Sequence, residues 1–340
     1  MRQEQNPCVP DVRAAFDAVH STPEALAVWF GEKDGAEPAP WPRYTLEAEN
    51  TYGLNNHFQS VQRLRIGPYA VVSGSDVNGP MSQLFLAQLP SRCASNAGRW
   101  GSNLDAGVAP RRPEPPKDDK VVLRVDLEQD RWHPGGLALL GDMLAVGLDH
   151  GDGGARVQFF DTSTPRELEA MFSVPLDDDR SDAVGLTSLP DGRVLMGLRM
   201  RDHFRFFRSR TATLSDGFEP DAGIWAPDAG DVSIDFQNIA LVRQCDGALF
   251  MLGFHNTSAG SPFVEGQDVA WLYALNPGPP PSLTPLAQRN LDCAQGYCNF
   301  DGAGGVFITD DGELLIYGAP HYRQLAAPGG TSLLLKLSEH

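Results

Sequence analysis

The chain has 340 residues, 41% of them hydrophobic, which is enough for a sizeable core. Its 27 Lys and Arg against 44 Asp and Glu leave a formal charge of -17, which repels phosphate backbones and anionic lipid surfaces, so neither nucleic acid nor a membrane is expected as a partner. No apolar run approaches the roughly 20 residues that cross a bilayer, and 35 Gly with 27 Pro, without a collagen period, read as many tight turns rather than a coiled coil or a disordered chain.

The N-terminus, MRQEQNPCVP, shows no basic-then-apolar leader, so the default expectation is a cytoplasmic protein unless a leader has been removed. Five cysteines (Cys8, Cys93, Cys245, Cys293, Cys298) leave at least one unpaired. Cys293 and Cys298 are close enough to bridge a loop, but nothing requires it, and their spacing is poor for zinc. The cysteines are therefore expected to be reduced or incidental. Residues 10–31 read as helical: DVRAAFDAV, then Thr22-Pro23-Glu24 opening EALAVWF with Pro in a first-turn position. Residues 1–42 are expected to form a helical extension and residues 43–340 the main domain, which begins with a spare strand, RYTLEAE (43–49).

From there one unit recurs five times: an apolar run, a tight turn, and a second apolar run ending in Gly. The instances are VQRLRIGPYAVVSG (61–74), LALLGDMLAVG (137–147), VGLTSLPDGRVLMG (184–197), IALVRQCDGALFMLG (239–253) and GVFITDDGELLIYG (305–318). Their turns hold Gly67, Gly141, Gly192, Gly247 and Gly312, four of them beside Asp, which is a hairpin signal because such pairs supply positive φ. A third strand comes after each hairpin: 82–89, 155–163, 203–209, 269–276 and 331–338. A fourth comes at 120–127, 169–176 and 283–291, with a weak one, GIWAPD, at 223–228. Four antiparallel strands per unit make a propeller blade. The expectation is an all-β, five-bladed β-propeller whose last blade is closed by the strand at 43–49, plus the short N-terminal helical extension. Residues 91–118, rich in Gly, Pro and Asn, form a long loop within the first unit.

The stretch RVQFFDTSTPRELEAMFSV (156–174), strand, Asp-Thr-Ser-Thr-Pro turn and next strand, resembles the LVIVD-type bacterial propeller repeats. The resemblance covers one blade well and the others loosely. It implies a propeller and says little about activity.

In a hairpin, the start of the first strand and the end of the second lie at the same end. His57 and His133 precede first strands; His150, His203, His255 and His321 come after second strands. A ring of blades therefore carries six of the eight histidines to one mouth. Three readings stay open: metal binding, ligand or proton-transfer roles, and polar loop residues without special function. For the first, His57, His133, His150, His255 and His321 are the candidate ligands, and imidazole nitrogen suits iron, zinc or copper. Asp149, Asp202, Asp301 and Tyr322 are candidate catalytic groups, as second residues on a histidine or as general bases. Gln59, Trp132, His203, Phe236, Gln237, Asn238 and Asn299 are candidate ligand-binding residues lining or bordering the channel. The absence of GxSxG and Gly-rich phosphate loops argues against the usual Ser hydrolase and against a P-loop enzyme. The function expected is a small-molecule enzyme, metal-dependent in the sharper version (lyase, hydrolase or oxygenase), with its site at the histidine-rich mouth. The alternative is a non-catalytic propeller that binds a ligand or a protein partner through the same face.

Overall fold

The computed structural model describes residues 5–20, 24–32, 58–76, 81–89, 121–149, 154–164, 166–177, 180–200, 203–225, 236–256, 267–278, 280–291, 300, 303–319, 324–325 and 332–340. After a short helix, α1 (Val12–Ala18), comes β1 (Glu24–Glu32). Next come four sheets of four consecutive antiparallel strands each. Blade 1 holds β2 (Phe58–Arg63), β3 (Tyr69–Asp76), β4 (Met81–Gln88) and β5 (Val121–Asp126). Blade 2 holds β6 (His133–Leu140), β7 (Met143–Asp149), β8 (Arg156–Asp161) and β9 (Glu169–Pro175). Blade 3 holds β10 (Ala183–Ser188), β11 (Val194–Arg199), β12 (Phe204–Ser209) and β13 (Phe218–Trp225). Blade 4 holds β14 (Asn238–Arg243), β15 (Leu249–Asn256), β16 (Asp268–Asn276) and β17 (Ser282–Leu291). The turn glycines Gly67, Gly141, Gly192, Gly247 and Gly312 all have positive φ, between 58° and 96°, as the primed-turn reading requires.

The expectation of five equivalent blades is corrected: four sheets have that make-up. The remaining sheet is a closing sheet of five strands drawn from both chain ends, in the order β1, β21 (Ser332–Glu339), β19 (Leu314–Ala319), β18 (Ala303–Ile308), with β20 (Gln324–Leu325) also pairing with β21. Its N-terminal strand is β1, read from sequence as a helix, and not residues 43–49, which lie outside the described residues. The physical reason is that ALAVWF (25–30) is apolar throughout, so its periodicity does not choose between helix and strand. The partner decides: β21 offers an edge, and β1 pairs along it from Glu24↔Glu339 to Glu32↔Ser332, covering the backbone groups that an open sheet would expose. Among the described residues of the expected helical extension, only α1 is helical. It starts at Asp11, whose carboxylate accepts the Ala14 N–H at 2.9 Å.

The innermost strands β2, β6, β10, β14 and β18 pack side by side in a closed ring. Each sheet is buried on both faces, which is why its inner strands read as unbroken apolar runs. Five hydrophobic clusters fill the five gaps between neighbouring sheets. Small residues set the tightest approaches: a Cβ on Gly305 of β18 would lie 1.7 Å from the Val61 carbonyl oxygen of β2.

The cysteine expectation is also corrected, because Cys8 and Cys245 form a disulfide. They stand 237 residues apart, and spacing alone gave no sign of the pair. The bridge belongs to an N-terminal strap across the turn end of the ring. Val9 donates to the Arg243 carbonyl at 3.0 Å and accepts from Cys245 N–H at 3.0 Å. Val9, Val12 and Phe16 are fully buried against blade 4 and the closing sheet. Asn6 reaches blade 2, donating to the Leu139 carbonyl at 2.7 Å and accepting Gly141 N–H at 2.9 Å.

Candidate functional site

The mouth end of the ring, where first strands begin and second strands end, brings blades 2 and 3 into close contact. Glycines allow it. A Cβ on Gly135 would lie 2.1 Å from the Ser181 carbonyl oxygen, and one on Gly147 would lie 2.6 Å from both that oxygen and Ser181 Oγ. The lead-in to β10 therefore lies directly on β6 and β7, with Gly136 N–H donating to the Asp182 carbonyl at 2.9 Å.

This approach builds a polar cluster. His133 and Asp149 are directly opposed in the β6–β7 register. His133 Nδ1 lies 2.8 Å from Asp149 Oδ1, and Asp149 Oδ2 accepts the Ser181 N–H at 3.0 Å. Asp149 is fully buried, whereas the His133 side chain keeps 15% of its surface exposed. With the carboxylate as acceptor, Nδ1 carries a proton, so in the neutral form of the ring Nε2 holds the lone pair. Trp132 packs edge-on against the His133 ring at 6.0 Å. Next to the pair sits Asp182, with Arg199 Nη1 3.6 Å from Oδ2 and Arg180 Nη1 3.7 Å from Oδ1. Desolvation by burial, the largest influence, pushes the Asp182 carboxyl above the ordinary carboxylate range. Arg199 opposes that rise, Asp149 reinforces it, and Arg180 and His133 oppose it more weakly.

Gly147→Ala should break this arrangement, because the added carbon would force Ser181 away from Asp149. The expected cost is about 1–3 kcal/mol, read as a lower midpoint in chemical denaturation.

A second buried carboxylate gives a useful contrast. Asp268 Oδ1 accepts the Asn256 amide at 2.8 Å and the Phe300 N–H at 2.9 Å, holding the lead-in to β18 against blade 4. Asp149 does the same for the lead-in to β10, but its other oxygen holds an imidazole that reaches the surface. That difference gives Asp149 a chemical part beside its structural one.

Those of the other expected residues that are described stand on different blades. His255 lies on β15, its ring 5.8 Å from that of Phe236. Phe236 is fully buried among the side chains between blades 3 and 4. His203 immediately precedes β12, and its carbonyl accepts Met200 N–H at 2.9 Å. Gln59 and Asn238 are buried on inner strands, and Gln237 N–H donates to the Phe254 carbonyl at 3.1 Å. His57, His150, His321, Asp202, Asp301, Tyr322 and Asn299 lie outside the described residues. Among the described residues, no group of three or more His, Cys, Asp or Glu is placed to hold a metal ion. Sequence reasoning missed Ser181, Asp182, Arg180 and Arg199. Their positions follow the blade pattern: Ser181 and Asp182 immediately precede the first strand β10, and Arg199 ends the second strand β11, as Asp149 ends β7 one blade earlier.

No family model matches the chain, and neither does any curated protein, so the finer resemblance to LVIVD-type repeats is not confirmed. Solved structures similar to the chain include a thermostable family-43 glycoside hydrolase, at 11% identity over 84% of this chain and 90% of that one, TM-score 0.44. The fructofuranosidase from Schwanniomyces occidentalis complexed with fructose is similar at 8% identity over 82% and 55%, TM-score 0.48. The WD40 domain from Toxoplasma gondii coronin is similar at 10% identity over 83% and 69%, TM-score 0.33. At these values no residue role is carried from them to this chain.

Proposed function

We propose that the protein is a small-molecule hydrolase working by general acid–base catalysis at the mouth between blades 2 and 3. The observation that carries this reading is the His133–Asp149 pair, with a buried carboxylate fixed by a backbone N–H and an imidazole that keeps access to the mouth. In the proposed reaction His133 Nε2 takes a proton from an attacking water. Asp149 is the positioning residue that sets the ring's tautomer and stabilises the imidazolium that forms. Asp182 is the acid: burial favours its protonated form, which can hand a proton to the leaving group. The Cys8–Cys245 bridge supports an oxidising compartment over the cytoplasm as the setting.

The test is a panel of chromogenic esters, phosphate esters and glycosides. Turnover of one class, lost in Asp182→Asn above the ordinary carboxylate pH range, supports the assignment. A protein inert toward the whole panel contradicts it and favours the binding reading. Asp182 also sets a pH dependence of stability. Its pKa is raised in the folded state, so the folded chain holds the extra proton and stability falls as pH rises from about 3.8 through the folded-state value. Asp182→Asn should flatten that fall in thermal melts across the acid range. An unchanged slope would remove Asp182 from the account.

A further inference from the structure

Across the mouth from this cluster, blade 4 meets the closing sheet, and β14 opens there with Asn238. The residue is 2% exposed, and among the described residues neither its Oδ1 nor its Nδ2 finds a hydrogen-bond partner. A primary carboxamide offers two donors and two acceptor lone pairs. Burying all of them unmet is destabilising, and a Leu of similar size would avoid the penalty. A buried carboxamide with both its oxygen and its nitrogen unmet asks for a use.

The surroundings narrow that use. Asn238 is paired across the strands with Phe254, so the two side chains share a face. The Phe254 ring stacks on Phe300 at 5.5 Å and 25°. The neighbouring polar groups already have partners: Asp268 holds Asn256 and the Phe300 N–H, and Gln237 N–H goes to the Phe254 carbonyl. A charged ligand group placed here would lose its hydration beside the stacked Phe254 and Phe300 rings. A neutral group that both donates and accepts would satisfy the carboxamide in full.

We propose that Asn238 is a specificity residue of the mouth, reading a pair of neighbouring hydroxyls on a neutral ligand through Nδ2–H and Oδ1, beside the Phe254–Phe300 stack. Hydroxyls suit the place because each rotates to donate or accept, so a diol pairs with the carboxamide in either orientation. The inference rests on the mouth being the working face, and it adds the ligand class that the face selects. The packed amide must be uncovered as the ligand enters.

The test uses saturation-transfer NMR with myo-inositol, and with acetamide as the amide-bearing probe, on the wild-type chain, Asn238→Leu and Asn238→Ala. Binding is read without turnover, so a failed hydrolase assignment and a failed Asn238 assignment give different results. The expected outcome is an inositol signal in the wild type that falls at least fivefold in both variants. Asn238→Leu should also melt ~2–5 °C higher, because an unmet buried carboxamide is gone. No inositol signal in the wild type, equal signals in the variants, a signal with acetamide alone, or a lower melting point for Asn238→Leu would each overturn the proposal.

Discussion

Replacing Cys8 and Cys245 together by Ser should lower the melting temperature on the order of 10 °C. The pair closes a loop of 237 residues, and in the chain-entropy description a loop that long restricts the unfolded chain by about 5 kcal/mol. At roughly 2 °C per kcal/mol for a chain above 250 residues, that sets the size of the shift. The native side adds to it. The strap carries the fully buried Val9, Val12 and Phe16, and α1 is also held by Arg289, which donates to the Phe16, Asp17 and Val19 carbonyls. Loosening the strap also loosens β1, the next element along the chain and the outer strand of the closing sheet. Wild-type protein in reducing agent should melt with the double variant. If the reduced wild type and the variant both melt with the oxidised protein, the strap is decoration and this part of the account fails.

The second large effect is on catalysis. His133→Ala should lower kcat/KM of the activity returned by the substrate panel by roughly 10²–10⁴-fold, the usual contribution of a positioned base. Stability should fall modestly, since the imidazole is partly exposed and lies outside the hydrophobic clusters but its loss takes a partner from the buried Asp149 carboxylate. Asp149→Asn should cost a similar factor for a different reason. The amide can accept the Ser181 N–H and then presents its NH₂ to His133 Nδ1, which must become an acceptor, moving the ring proton to Nε2 and abolishing the base. Circular dichroism and melting on each variant separate loss of the group from loss of the fold.

The range of each interaction decides how much of this was legible in the sequence. The hairpins were, because positive-φ glycines between apolar runs are a local signal, and all five turn glycines adopt that conformation. At the mouth, antiparallel pairing puts His133 opposite Asp149, a pair that follows from the strand register and was not drawn from the sequence. The count of equivalent blades failed where the chain ends meet: β1 and β21 form one edge from residues some 300 apart, and no local pattern reveals that. The Cys8–Cys245 bridge failed for the same reason. Asp182 was hidden because a lead-in aspartate looks like an ordinary turn residue until Gly135 and Gly147 let the neighbouring blade settle on it. Blade 3 gave only a weak fourth-strand signal at 223–228, whereas β13 runs Phe218–Trp225, its apolar pattern interrupted by Pro220 and Gly223.

The most direct test of the mouth as the working site is a double-mutant cycle of His133→Ala and Asp149→Asn in kcat/KM, with melting temperatures measured alongside. If the two side chains act as one unit, each single variant loses most of the activity, and the double variant is no slower than the worse single. Additive losses, or a His133→Ala protein that keeps wild-type kcat/KM, would contradict it.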